Sequence, residues 1–246
     1  MKPEISVIIL CRGDARYLKG CVRSLERSTR LSYELILVDN ASPDNARAVM
    51  RDIRKRSRVP VTVIRNAENR YFAGGNNQGL GIARGKYVLF LNADTLCAKN
   101  CLEEMHGHFF SEPALGAAGP LTDSAPGLQL RCGGRNRLRP GIMEPVPWII
   151  GFCMMMPAEL ARRLGGFDET YGPGGYEDYD LCLRIRLAGR GIGIALGSFV
   201  THFGGRGYSG MDYDALREKN RSLYRRIWSS RILKAVDRLD LLSSTQ

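Results

Sequence analysis

The stretch Leu89-Phe90-Leu91-Asn92-Ala93-Asp94-Thr95 ends an apolar run on two oxygen-bearing side chains. Such groups suit a hard divalent cation, which often shares its coordination with substrate phosphates. A turn in which Asp94 merely caps the next element explains the same residues. Farther along, Glu177-Asp178-Tyr179-Asp180 gathers carboxylates at the start of a helix. At about 100° per residue, Asp178 falls in the middle of the stripe Leu181, Cys182, Ile185 and Gly189. Asp178 is thus the acid expected to point inward, and its place at a helix start should lower its pKa. Glu177 and Asp180 fall on the flanks, where Asp180 can pair with Arg184 at the surface. His202 follows an apolar strand and is either a structural group or a ligand, whereas His106 and His108 sit on an ordinary helix and read as structural. Gly74-Gly75-Asn76-Asn77-Gln78-Gly79 is expected to open a helix, where glycines admit a close backbone approach and the helix N-terminus attracts anions. Packing explains those glycines equally well.

Residues so scattered need a scaffold that brings them to one edge. Apolar runs at Ile5–Cys11, Glu34–Val38, Val61–Ile64, Tyr87–Leu91 and Leu115–Ala118 read as buried strands. Between them come helices around Tyr17–Leu25, over Asp44–Arg56, near Gly74–Ala83 and over Ala98–Phe110. This alternation predicts an α/β fold, a mostly parallel central sheet with helices on both faces. In such sheets ligands bind beyond the carboxyl ends of the strands. Here those ends are Arg12-Gly13-Asp14, Asp39-Asn40, Arg65-Asn66 and Asn92-Ala93-Asp94, polar each time. The second half is less regular. Residues 120–147 read as a long loop, Trp148–Met156 as a strand, Asp178–Ala188 as a helix, Ile192–Val200 as a strand, and the tail from Asp212 as a basic helix. Pro157 is placed at the first position of a short helix that stops at Gly165-Gly166.

Composition narrows the function classes. The 246 residues are 44% hydrophobic, enough for a core without staples. The longest apolar runs, Ile5–Leu10 and Trp148–Met156, are too short to cross a bilayer, and MKPEISVIIL reads as a strand, not a signal peptide. Seven cysteines with no CxxC pair suit a reduced, cytoplasmic protein. A net charge of +11 calls for an anionic partner or a tolerant surface. The run Arg51–Arg58 reads as solvated decoration, whereas Arg131, Arg135, Arg137 and Arg139 stand in a Gly/Pro-rich loop. Neither GxGxxG after the first strand nor GxxxxGK[ST] is present, so dinucleotide and P-loop readings fail. No nucleic-acid-binding motif accompanies the charge.

In order, SVIILCRGDARYLKGCVRSL, ELILVDNASPD, NRYFAGGNNQG, GKYVLFLNADT, GGFDETYGPGGYEDYDLCLRIRLAG and VTHFGG resemble the blocks of family 2 glycosyltransferases, especially the rhamnosyltransferase-like branch with the GT-A fold. The resemblance implies an inverting transfer from a nucleotide-diphospho-sugar to a saccharide, lipid-linked or protein acceptor, in bacterial surface glycan or glycoconjugate synthesis. It implies Asp94 and His202 as ligands of Mg²⁺ or Mn²⁺ and Asp178 as general base. Asp39 would contact the donor's base or ribose, and Arg12, Asn40, Gly75, Asn76 and Asn92 join it on the donor side. Two departures stand out: Asn92 replaces the first aspartate of DxD, and Tyr71 stands where this branch usually has glycine. A nucleotide-sugar-binding module without turnover and a nucleotidyltransferase are the competing classes. The former would lose these acids, and the latter would want a basic, Gly-rich loop where Cys11–Tyr17 stands. The expected layout is a catalytic domain over 1–205, with a nucleotide-sugar half (1–119) and an acceptor half (120–205), then a basic helical extension over 206–246. Arg131–Arg139 and the tail around Arg217–Arg231 could hold the protein against anionic lipid at the inner face of the plasma membrane.

Overall fold

Runs of apolar residues without alternation must be covered on both faces, and the computed structural model bears this out for β1 (Ile5–Cys11) and β2 (Tyr33–Asn40). It describes residues 2–124, 127–130, 138–204, 212–229 and 232. Helices α1 (Ala15–Ser28) and α2 (Ala46–Arg56) turn the expected apolar stripes inward, leaving Arg51, Arg54 and Arg56 in solvent. Strands β3 (Val61–Asn66) and β4 (Tyr87–Asn92) complete a parallel block in the order β3-β2-β1-β4. Helix α3 (Tyr71–Ile82) connects β3 to β4.

Beyond β4 the sheet is mixed. Strand β8 (Cys153–Pro157) runs antiparallel to β4, followed by β6 (Leu115–Leu121), β9 (Gly191–His202) and β5 (Thr95–Cys97), with β7 (Met143–Pro145) also on β9. Helices cover both faces, as expected. One apolar layer lies under α1, α2 and α4 (Cys101–Ser111); the other lies under α3, α5 (Ala158–Arg163) and α6 (Glu177–Leu187). Helix α7 (Tyr213–Ile227) is N-capped by Asp212, whose Oδ1 accepts from the Ala215 amide at 3.0 Å.

Several expected boundaries shift. Strand β5 was not foreseen; it pairs Thr95 with His202 and delays α4 to Cys101. Only the end of Trp148–Met156 is strand. The amides of Ile149, Ile150 and Gly151 instead donate to Cys182 Sγ, Gln129 Oε1 and Asp178 Oδ2, so side chains replace a ladder there. Helix α3 starts at Tyr71, not Gly74, and β7 lies within the expected loop. Pro157 stands one residue before α5, at the N-cap position and not the first helical one. Cys11, Cys21, Cys97, Cys101, Cys153 and Cys182 are buried free thiols. Arg131, Arg135, Arg137 and Arg231 lie outside the described residues.

Candidate active site

The turn after β4 is pinned at both ends: the Asn92 amide donates to the Phe152 carbonyl at 2.8 Å, and Thr95 Oγ1 donates to the Asn92 carbonyl at 2.7 Å. Asp94 sits inside it, 6% exposed. The short β5–β9 ladder then sets His202 beside it, with Nε2 3.4 Å from Asp94 Oδ1 and 3.4 Å from Asn92 Nδ2. His202 Nδ1 lies 3.2 Å from the Ser124 carbonyl, which can only accept. That bond asks for the proton on Nδ1, so in the neutral imidazole Nε2 carries a lone pair beside a carboxylate. The His202 ring stacks on Phe152, centroids 4.7 Å apart and planes 16° apart. Two Lewis bases held face to face favour a cation between them, so the residues fit a divalent metal. Among the described residues no third His, Cys, Asp or Glu converges on one point. Asp94, His202 and the neighbouring Asn92 would therefore supply part of a shell that substrate oxygens and water complete.

The carboxylates at the start of α6 are arranged differently from the helical-wheel expectation. Glu177 is 5% and Asp180 1% exposed, while Asp178 is only half-buried. The first turn of α6 leaves a glycine-rich segment through Tyr176, in the left-handed region at φ 82°, and α7 covers it. Asp180 is no surface partner of Arg184. It takes Arg184 Nε at 2.7 Å, Trp228 Nε1 at 2.8 Å and the Tyr171 hydroxyl at 3.3 Å. Glu177 leaves Oε2 without a hydrogen bond. Asp178 is held by two backbone amides: Oδ2 accepts from Gly151 at 3.2 Å and Oδ1 from Tyr179 at 2.9 Å. Its pKa is raised, against expectation. Desolvation by burial outweighs the amide bonds and the nearby Arg217 charge, all of which pull it down. Burial, and then the Asp178 charge, likewise push Glu177 well up.

The donor side also differs in detail. Asp39, 1% exposed, accepts from the Ser42 amide at 3.0 Å and faces Arg47 Nε at 3.5 Å. Arg12 Nη1 donates to the carbonyls of Ala41 and Asn40 at 3.1 and 3.3 Å. Asn40 does not present a free amide to the crevice. Its Nδ2 donates to Asn69 Oδ1 and the Tyr71 carbonyl, and its Oδ1 accepts from Asn66 Nδ2 and the Arg70 amide. That saturates the side chain, so it positions the loop before α3. Gly75 is not an anion cradle either: a Cβ there would overlap Leu10 Cδ1. Asn76, 1% exposed, donates to the Phe72 carbonyl within α3. Both belong to the second turn of the helix and serve packing.

Gly151 and Phe152, which nothing in their apolar run marked out, join the two corners. The Gly151 amide holds Asp178, the Phe152 carbonyl holds Asn92, and the Phe152 ring carries His202. A Cβ on Gly151 would approach the Phe72 ring to 3.0 Å. Tyr71 has φ 54°, a left-handed backbone that a glycine would adopt without strain.

With this geometry in place, comparison with known proteins is direct. Residues 6–132 match the family model described as Glycosyl transferase family 2. The chain belongs to that family. The putative polypeptide N-acetylgalactosaminyltransferase 13 of Drosophila melanogaster is 26% identical over 82% of this glycosyltransferase-family chain and 42% of its own length. The putative glycosyltransferase EpsE of Bacillus subtilis is 28% identical over 74% of the chain and 66% of its own. Rhizobial protein y4gI (Sinorhizobium fredii) is 26% identical, with the match spanning only 23% of its length, so the chain corresponds to a part of several relatives. The fold is that of GT-A glycosyltransferases. GalNAc-T7, solved with UDP, GalNAc and Mn²⁺, superposes with a TM-score of 0.74 at 17% identity, covering 94% of this chain and 50% of that one. A mannosyltransferase from Pyrobaculum calidifontis, solved with GDP-Man and Mn²⁺, gives 0.65 at 20% identity, covering 85% and 59%.

Proposed function

We propose that the chain transfers a sugar, with inversion, from a nucleotide-diphospho-sugar to an acceptor hydroxyl, using a divalent cation at Asp94 and His202 and Asp178 as general base. The observation that carries this reading is the Gly151–Phe152 strip. It ties a half-buried carboxylate to a carboxylate–imidazole pair near the carboxyl end of the sheet. A bound Mn²⁺ or Mg²⁺ supplies charge that neutralises the departing diphosphate. Asp178 holds its carboxylate by two backbone amides, and its raised pKa makes it a stronger base than an exposed aspartate. Asn92 and Asp94 border the diphosphate position, and Asp39, at the end of β2, borders the nucleoside. The two superposing structures were solved with UDP, GalNAc and Mn²⁺ and with GDP-Man and Mn²⁺, which supports a nucleotide-sugar donor and a divalent cation.

Surface-glycan synthesis is the biological setting the relatives favour. The O-antigen biosynthesis protein RfbC of Myxococcus xanthus is 27% identical over 78% of the chain, although over only 15% of its own length. No helix among the described residues is long and apolar enough to cross a membrane. Exposed Lys219, Arg221, Arg225 and Arg226, spread around α7, supply positive charge for peripheral contact with anionic lipid.

The test is to offer UDP-, GDP- and dTDP-sugars with Mn²⁺, Mg²⁺ or EDTA and to follow release of nucleoside diphosphate. One donor should be consumed with metal and spared in EDTA, with the opposite anomeric configuration in the glycoside formed. Consumption of none under any metal, or full activity in EDTA, would refute the proposal.

A further inference from the structure

Helices α1 and α2 pack side by side over the same apolar layer, and their outer faces carry one sign of charge. Opposite the buried stripe of α1, Arg16, Lys19, Arg23 and Arg27 stand exposed at i, i+3, i+7 and i+11. Opposite that of α2, Arg47, Arg51, Arg54 and Lys55 stand exposed at i, i+4, i+7 and i+8. These spacings put each set on one side of its helix. With Arg56, the two helices hold nine basic side chains against Glu26 and Asp52, which is +7 of the chain's +11. Asp52 is turned toward α1, where it takes Lys19 at 3.5 Å; it also holds Arg56 at 2.8 Å. Arg23, Arg27, Arg51, Arg54 and Lys55 form no ion pair among the described residues. A solvated helix face ordinarily mixes signs, because like charges three or four residues apart weaken a helix. Lys19–Arg23, Arg23–Arg27, Arg47–Arg51 and Arg51–Lys55 are such like-charge neighbours. Anions outside the chain relieve a repulsion of this kind.

We propose that the joined outer faces of α1 and α2 are the surface on which the protein sits against an anionic bilayer. Each row of cations is roughly 16 Å long, and packed helices lie about 8–10 Å apart. Two such rows make a flat patch, which matches a planar array of lipid phosphates better than one strand of a polymer. Arginine prevails over lysine in it, and the guanidinium fork suits phosphate oxygens. Among the described residues, neither helix exposes a large apolar side chain. The contact is therefore Coulombic, at the level of the headgroups and without insertion. Nucleic acid fits this face less well. The one aromatic residue of the two helices, Tyr17, packs on Phe203 with centroids 5.2 Å apart, so no ring is left for stacking bases. Both helices start just beyond the carboxyl ends of β1 and β2. A protein lying on this face thus keeps its crevice beside the leaflet, within reach of a lipid-linked acceptor. Only that last step rests on the proposed function; the contact itself follows from charge and shape.

Vesicle flotation of the full chain tests the face without needing turnover. The vesicles are phosphatidylcholine with or without phosphatidylglycerol. Wild type should float with the anionic vesicles at low salt, not with the neutral ones, and come off as salt is raised. Each cation near such a surface contributes about fivefold. A variant combining Arg23→Gln, Arg27→Gln and Arg51→Gln should therefore bind about a hundredfold more weakly. A second variant, combining Lys219→Gln, Arg225→Gln and Arg226→Gln on α7, loses the same charge away from the face. It should weaken binding by about fivefold or less. The α1–α2 variant should melt no lower than wild type, since it removes like-charge repulsion and no ion pair. Calorimetry with UDP or GDP and Mn²⁺ reads the nucleotide site separately, so failure there counts against the functional reading and not against the face. No binding to anionic vesicles at low salt, equal losses from the two variants, or a lower Tm for the first would overturn the proposal. Binding of inorganic polyphosphate or duplex DNA, with none of vesicles, would overturn it in favour of a soluble polyanion.

Discussion

Replacing Asp180 with asparagine should be among the most damaging single changes outside the apolar core. The carboxylate is 1% exposed and receives three donors from three elements: Arg184 Nε, Trp228 Nε1 and the Tyr171 hydroxyl. An amide of the same shape can accept on one atom only and turns N–H groups toward donors on the other. Removing one partner of a buried pair costs ~3–5 kcal/mol. Arg184 keeps a second bond to the Leu164 carbonyl and is 18% exposed at its side chain, so water can recover part of that cost. A loss of about 2–4 kcal/mol results. For a chain of this length each kcal/mol moves Tm by about 2–4 °C, so Tm should fall by roughly 5–15 °C. Asp52→Asn is the control: its pairs with Lys19 at 3.5 Å and Arg56 at 2.8 Å lie at the surface, and losing them should cost about 1 kcal/mol or less. Differential scanning calorimetry of both variants decides the matter. If Asp180→Asn melts within about 2 °C of wild type, as a surface pair would, the buried hub tying α6 to α7 is wrong.

Gly75→Ala should destabilise by about 1–3 kcal/mol, because its Cβ must displace Leu10; nucleotide affinity of the folded protein, read by calorimetry, should survive. Tyr71→Gly should raise Tm by a few degrees, relieving a left-handed residue that costs about 1 kcal/mol, whereas Tyr71→Ala should give no such gain. Glu177 is raised above its ordinary pKa of 4.5. The folded chain therefore keeps the Glu177 proton to higher pH than the unfolded chain, and stability falls as pH rises from that value through the folded pKa. Glu177→Gln removes this penalty, so its Tm relative to wild type should climb from pH 4 to pH 8; a difference flat with pH would contradict the assignment.

Much of the scaffold was legible because strands buried on both faces leave continuous apolar runs. Ile5–Cys11 and Tyr87–Leu91 could hardly be anything else in a βαβα chain. Asp94 and His202 were found as ends of such runs, and the structure brings them together. Strand β5 escaped because three residues are too few to show a period, although it is the piece that delivers His202. The carboxylates of α6 misled for a different reason. A helical wheel assumes that the apolar stripe alone sets which face is buried. Here Trp228 and Asn220, some 40 residues downstream, cover the other side of the first turn. Gly75 shows the ambiguity of glycine, where the same residue type serves an anion or a close-packed Leu10.

The central claim, a metal-assisted nucleotide site at Asp94 and His202, is tested most directly by titrating UDP and GDP into the protein by calorimetry, with Mn²⁺ or with EDTA. For the nucleotide that binds, metal should tighten affinity by about tenfold or more, the effect of ~1.4 kcal/mol or greater. Asp94→Asn and His202→Ala should each remove most of that gain while leaving the metal-free affinity alone. Equal affinity in Mn²⁺ and EDTA, or a metal effect untouched by both substitutions, would contradict the account.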